Sequence, residues 1–212
     1  ISACLVGSEM CIRDRLKPAE RRTLLLLSRL PLASQKVLQR VSGATYGSST
    51  YACLARLRTD GLVATVRPIR RETPSPRLHY LTDLGLATIA VDQNVDLRHM
   101  ALSFLVRRPD LLALLPQIDL LARVYELLGQ LAVSGPGEPR LAAFERPWRH
   151  QFTLAGRKEP LTVTFPAFAA FDWDGTPGTF LLLPDVTGIP VRQFRPALDR
   201  LLLVRASGQN LP

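Results

Sequence analysis

This sequence has little of what catalytic, exported or membrane-spanning proteins are built from. No apolar run reaches the roughly eighteen residues a transmembrane helix needs. "TLLLLSRLPL" is too short, and "LLALLPQIDLLARVYELLGQLAV" carries Asp119, Arg123, Glu126 and a proline. A membrane partner is therefore not expected. Three cysteines, Cys4, Cys11 and Cys53, make neither a disulfide framework nor a metal-ligand spacing. No secretory segment is recognisable, so a cytoplasmic location is the expectation. The histidines, His79, His99 and His150, show no ligand spacing, no glycine-rich loop could cradle a phosphate, and no serine or cysteine has an evident base. We expect no catalytic residue, no metal site and no cofactor.

What the chain does have is positive charge, unevenly placed. Its 212 residues carry a formal charge of +9 and a sequence pI near 10.3. Residues 16–92 hold twelve Lys/Arg against five Asp/Glu, whereas residues 93–212 hold thirteen against eleven. A cationic surplus confined to one part of a chain is the footprint expected for a polyanion partner. Hydrophobic residues make up 47% of the chain, enough to bury a core.

The cationic part reads as three short helices and a hairpin. Pro18 and Glu20 suit the opening turn of a helix running to Leu30, whose apolar positions are Leu24, Leu27 and Leu30. A second helix covers Ser34 to Val41, with Val37, Leu38 and Val41 inward. A third runs from Ser49 to Asp60 and stops at Gly61, a natural C-cap. Its inward side is read as Tyr51, Leu54 and Leu57. "LVATVRPI" then alternates as a strand, "RRETPSPR" is a proline-crowded turn, "LHYLT" returns, and "DLGLATIA" restarts a helix. This order and these lengths predict a winged helix-turn-helix over residues 16–92. In that architecture the third helix enters the major groove and the hairpin touches the DNA backbone. Candidate DNA-binding residues are Ser49, Thr50, Ala52, Cys53 and Arg56 on the helix, and Arg67, Arg70, Arg71 and Arg77 on the wing.

The remainder divides into a helical connector (93–139) and a small α/β domain (140–212). "RRPDLLALLPQIDLLARVYELLGQLAVSGPGEP" predicts a long amphipathic helix kinked at Pro116, with a stripe of Leu111, Leu114, Leu115, Ile118, Leu121, Tyr125 and Leu128. That stripe serves either core packing or a homodimer through the helix near Leu111 to Leu128. Strands are expected in "LAAFERPW", "RHQFTLAG", "LTVTFPAFAAFDWD" and "GTFLLLPDV", with a hairpin turn at "DWDGTPG" and a final helix in "QFRPALDRLLLVRA".

Taken in order, "DGLV", "HYLTDLG", "FPAFAAF" and "FLLLPDVTGIPVRQFRPALDRLL" resemble the replication-relaxation family of plasmids and mobile elements, across most of residues 17–205. The resemblance implies double-stranded DNA as partner, a role in replication, mobilisation or regulation, and a second half similar to a restriction-endonuclease-like core. Such a core needs clustered carboxylates, because Mg²⁺ takes hard oxygen ligands. Here Ala167 follows Pro166 where an aspartate would stand, and Leu183 replaces the glutamate, leaving Asp185 alone; Asp172 and Asp174 suit a turn instead. The core is read as degenerate and the protein as a non-catalytic DNA binder. The alternatives are a nuclease whose missing acids lie beyond the fragment, a ligand-responsive transcriptional regulator, and a winged helix that docks proteins. The opening "VGSEMCIRDR" resembles a translated sequencing adapter left on metagenomic reads, so residues 1–15 are expected to be non-native and the C-terminus truncated.

Overall fold

The computed structural model describes residues 15–68, 76–104, 106–152 and 159–182, with isolated residues at 199 and 202. Among these the fold is mixed α+β with small antiparallel sheets.

Helix α1 (Pro18–Arg29) starts where proline belongs, and the Lys17 N–H donates to the Glu20 carboxylate across its first turn at 2.8 Å. Leu24, Leu27 and Leu30 are all buried, as the helical spacing predicts. Strand β1 (Ala33–Ser34) leads into α2 (Gln35–Val41), where Ser34 is the N-cap and its hydroxyl accepts from the Val37 N–H. Val37, Leu38 and Val41 face the core. Helix α3 (Gly47–Thr59) begins two residues before the expected Ser49. It closes in a Schellman motif: Gly61 sits at φ 71°, its N–H reaches the Arg58 carbonyl, and the Leu62 N–H reaches Leu57.

Strands β2 (Val63–Val66) and β3 (Leu78–Leu81) pair antiparallel, and β3 also pairs with β1, giving the order β1-β3-β2. The turn expected between β2 and β3 lies mostly outside the described residues, and Arg70 and Arg71 with it. Helix α4 (Asp83–Asp92) follows at once. Its N-cap Thr82 accepts from the Gly85 N–H and donates to the Gly61 carbonyl, tying the helix to the end of α3. Gly85 is required by proximity, since a Cβ there would run into the Leu62 carbonyl oxygen.

The connector holds α5 (Leu97–Ser103), α6 (Arg108–Leu114), a 3-10 turn (Leu115–Gln117) and α7 (Ile118–Ser134). The break falls at Pro116, which has no N–H to continue the ladder. Leu121, Val124, Tyr125 and Leu128 of α7 are buried against the first module; α7 packs along α2, and the Tyr125 hydroxyl donates to the Pro31 carbonyl at 2.9 Å. The homodimer seam read from this stripe is therefore corrected over Leu121 to Leu128. Those side chains already lie in the chain's own core, and of the expected stripe Leu115 is exposed.

The strands that follow are β4 (Pro139–Glu145), β5 (Trp148–Phe152), β6 (Leu161–Phe165), β7 (Ala167–Trp173) and β8 (Thr176–Leu182). They form two antiparallel sheets, β4-β7-β8 and β5-β6. β7 and β8 join through Asp174 (φ 51°) and Gly175 (φ 89°), both left-handed, the two-residue hairpin that Asp-Gly favours. Asp172 does the local work expected of a turn aspartate, accepting from the Gly175 N–H, whereas Asp174 accepts from the distant Glu138 N–H. Leu183, Asp185 and the expected final helix lie outside the described residues, apart from the isolated positions 199 and 202.

One hydrophobic cluster runs from Leu16 through α1–α4 and α7 to Leu141, Phe171 and Leu182, so the three sequence segments share a core. A smaller one gathers Trp148, Val163, Phe165 and Phe168. The seam between the halves is also polar. A β-bulge between Leu141 and Ala143 shifts the β4–β7 register, and the Arg29 guanidinium donates to the Leu141 and Ala142 carbonyls at 2.6 and 2.9 Å. An irregular ladder leaves carbonyls needing donors, and Arg29 supplies them.

Candidate nucleic-acid interface

The expected contact helix, α3, has three kinds of surface. Thr50, Leu54 and Leu57 are its buried stripe. The expected stripe of Tyr51, Leu54 and Leu57 is wrong at its first member, for Tyr51 is 59% exposed. Spacings of three-plus-three and four-plus-three both fit a helix face, and the core took the smaller Thr50 rather than the phenol. Thr50 is accordingly corrected as a DNA-facing candidate: it is 6% exposed, and its hydroxyl has no partner among the described residues.

The flank of α3 toward α1 carries Ser49, Cys53 and Arg56. Glu20 of α1 is only 4% exposed, and Arg56 reaches it at 3.3 Å. Arg56 also lies 3.9 Å from Asp60 and donates to the Arg15 carbonyl. A buried carboxylate without a cation is strongly destabilising, so Arg56 has a structural partner in Glu20, while its own side chain stays 41% exposed. Cys53 is half-buried with its sulfur 3.4 Å from the Thr23 hydroxyl, and burial raises its pKa, the opposite of an activated thiol. Ser49 is exposed but turns its hydroxyl to the Tyr46 carbonyl. Ala52 is exposed and open.

The opposite flank is different. Tyr51, Ala55 and Arg58 line one side of a groove of about 580 Å³; Arg67, Pro76, Arg77 and His79 line the other, and Ser34, Gln35, Lys36 and a single carboxylate, Glu126, complete its lining. Arg67 and Arg77 directly follow the last ladder pair, Val66 with Leu78, so the ribbon presents two guanidiniums side by side. Among the described residues, Arg58, Arg67 and Arg77 have no carboxylate partner; Lys36 has one, Glu126, at 3.3 Å. Arg40 shares Glu126 at 2.7 Å, and although burial works the other way, hydrogen bonds from Arg40 and Lys36 hold that carboxyl below its usual range.

His79 lies beneath this rim, 4% exposed on the central strand β3, with Nδ1 buried and unpartnered. Burial lowers its pKa to about 4, helped by the positive charges of Arg58 and Arg77. The imidazole is therefore neutral at physiological pH, and the groove's charge comes from its guanidiniums and Lys36.

Of the nine sequence candidates, Arg67 and Arg77 line this groove, Ser49, Ala52, Cys53 and Arg56 lie elsewhere on α3, Thr50 is in the core, and Arg70 and Arg71 lie outside the described residues. Sequence reasoning missed Arg58, Lys36 and the exposed Tyr51. The signal was present for two of them: Tyr51, Ala55 and Arg58 repeat at four and three residues, a face of their own. No group of three or more His, Cys, Asp or Glu among the described residues could hold a metal ion, and no helix among them is long and apolar enough to cross a membrane.

These observations define a mixed α+β protein with a carboxylate-poor basic groove between a helix and a β-ribbon. Comparison adds no name to that class: no family model, no curated protein and no solved structure matches this chain.

Proposed function

We propose that residues 16–92 form a winged helix that binds double-stranded DNA, with α3 as the recognition helix and the β2–β3 ribbon as the wing. The observation that carries this reading is the convergence of Arg58, Arg67 and Arg77, without carboxylate partners among the described residues, on the groove between helix and ribbon. Like charges lining one groove repel one another, and the sugar–phosphate backbone is a polyanion that offsets such repulsion. Tyr51 and Ala52 then face the bases, while Arg67 and Arg77 anchor phosphates.

Binding proceeds without catalysis in this reading, and the sheet half supports the module by sharing its core. The family resemblance of the ordered motifs points the activity toward replication, mobilisation or regulation of mobile elements. The test is fluorescence anisotropy with a labelled random-sequence duplex at several salt concentrations. Affinity should fall linearly on a log–log plot, with a slope reporting about three or more neutralised phosphates. Absence of any salt-dependent affinity for duplex DNA would overturn the proposal in favour of a protein-docking module.

A further inference from the structure

A second concavity, of about 640 Å³, lies between α1, the end of α4 and strand β4. Its walls combine apolar side chains, notably Leu25, Ile89 and Leu141, with Arg21, Arg22, Arg29 and Arg140. Four carboxylates also reach it: two are ion-paired, and two are oriented by a single backbone N–H each and keep their charge. Asp92 pairs with Arg21 at 3.3 Å and Glu138 with Arg22 at 2.6 Å. Asp172 accepts from the Gly175 N–H at 2.7 Å, and Asp174 accepts from the Glu138 N–H at 3.0 Å.

That leaves two guanidiniums. Arg29 is half-buried and spends one nitrogen on the bulge carbonyls of Leu141 and Ala142, with no carboxylate partner among the described residues. Arg140 is exposed at the mouth and likewise unpaired; Asp172, its cross-strand neighbour, forms no ion pair with it. The two cations feel each other: burial lowers the pKa of Arg29, and Arg140 lowers it further. A concave site with apolar walls and a few convergent charged groups is the usual form of a small-molecule pocket. A carboxylate matches the guanidinium fork in geometry and charge.

We propose that this cleft binds a small organic anion with an apolar body, its carboxylate seated between Arg29 and Arg140 and its chain on Leu25, Ile89 and Leu141. The site is separate from the DNA groove, and its test uses no DNA. Because α1 and β4 belong to the two halves of the fold, the occupant would bridge them.

Hexanoate serves as the probe, with hexan-1-ol as the uncharged control and inorganic phosphate as the control lacking an apolar body. Isothermal titration and thermal melts are run on the full chain at constant ionic strength. Hexanoate should bind saturably and raise the melting temperature with concentration, as a ligand selective for the folded state must; both controls should bind at least tenfold more weakly. Arg140→Ala should weaken hexanoate at least tenfold and Arg140→Lys by less, because a lysine keeps the charge but loses the fork. Arg140 is exposed, so both variants should fold with the circular dichroism spectrum of the parent chain. Leu25→Ala supplies a second arm, weakening hexanoate while leaving phosphate unchanged. The proposal is overturned if hexanoate binds no better than hexan-1-ol or phosphate, or if Arg140→Ala binds it as the parent does.

Discussion

The two flanks of α3 hold arginines two residues apart in sequence, and the fold uses them in opposite ways. Arg56 meets a buried carboxylate, Glu20, and becomes part of the scaffold. Arg58 lines a groove with Arg67, Arg77 and a buried imidazole, and among the described residues has no carboxylate to pair with. The chemistry of the side chain is the same on both flanks; its role is set by whether the neighbouring element brings a negative charge. A guanidinium answering a buried acid contributes to stability, whereas one facing other guanidiniums is a feature that a ligand's charge would offset.

Four measurements could break or sharpen that contrast. The largest effect concerns His79, the open flank's buried base. Its folded pKa of about 4 lies below the ordinary value of 6.5, so the fold favours the neutral form. The associated stability is complete above pH 6.5, is lost as pH falls from 6.5 through about 4, and levels off below that. Between pH 7 and pH 4.5, urea unfolding should show the parent chain losing on the order of 2–3 kcal/mol more than His79→Phe. Equal losses in both would mean that the imidazole is not held neutral by its surroundings.

Next comes the rim itself. Arg58→Ala combined with Arg77→Ala should weaken duplex binding roughly thirty- to hundredfold, given about 1–1.4 kcal/mol for each contact. The salt slope should fall by about two counterions. An unchanged slope would place the DNA elsewhere.

On the closed flank, Arg56→Ala should destabilise the chain by about 2 kcal/mol, less than a fully buried pair because the guanidinium is partly solvated. Its duplex affinity should stay within about threefold of the parent. If instead it folds as stably as the parent but binds DNA poorly, the two flanks have been assigned the wrong way round. The smallest effect belongs to the stop of α3: Gly61→Ala, forced to φ 71°, should cost about 1 kcal/mol by thermal melt without altering the salt slope.

Much of the local architecture was legible because local signals carried it. Pro18, Ser34 and Gly61 mark helix boundaries through backbone chemistry that needs no distant partner. Asp174–Gly175 specifies its hairpin by left-handed backbone alone. The leucines of α1 and the valines of α2 fell on their faces because a helix has one period. The orientation of α3 was less readable, since two spacings suit its apolar residues and only packing against α1 and the sheet chose Thr50 over Tyr51. Arg56 looked like a reader of bases because nothing within a few residues reveals that Glu20, thirty-six positions earlier, is buried beside it. The long apolar stripe on α7 looked available for a second copy, yet α2 covers much of it within the same chain.

The amino-acid order alone determined the helix and hairpin boundaries marked by Pro18, Ser34, Gly61 and Asp174–Gly175, and that the positive charge gathers in residues 16–92, because backbone preference, side-chain period and net charge are local or additive properties. Only the tertiary structure decided which arginines meet a carboxylate among the described residues, which stripe is core and which concavities form there. Those depend on which charges and surfaces meet across the chain, and such encounters are set by packing rather than by neighbours in sequence.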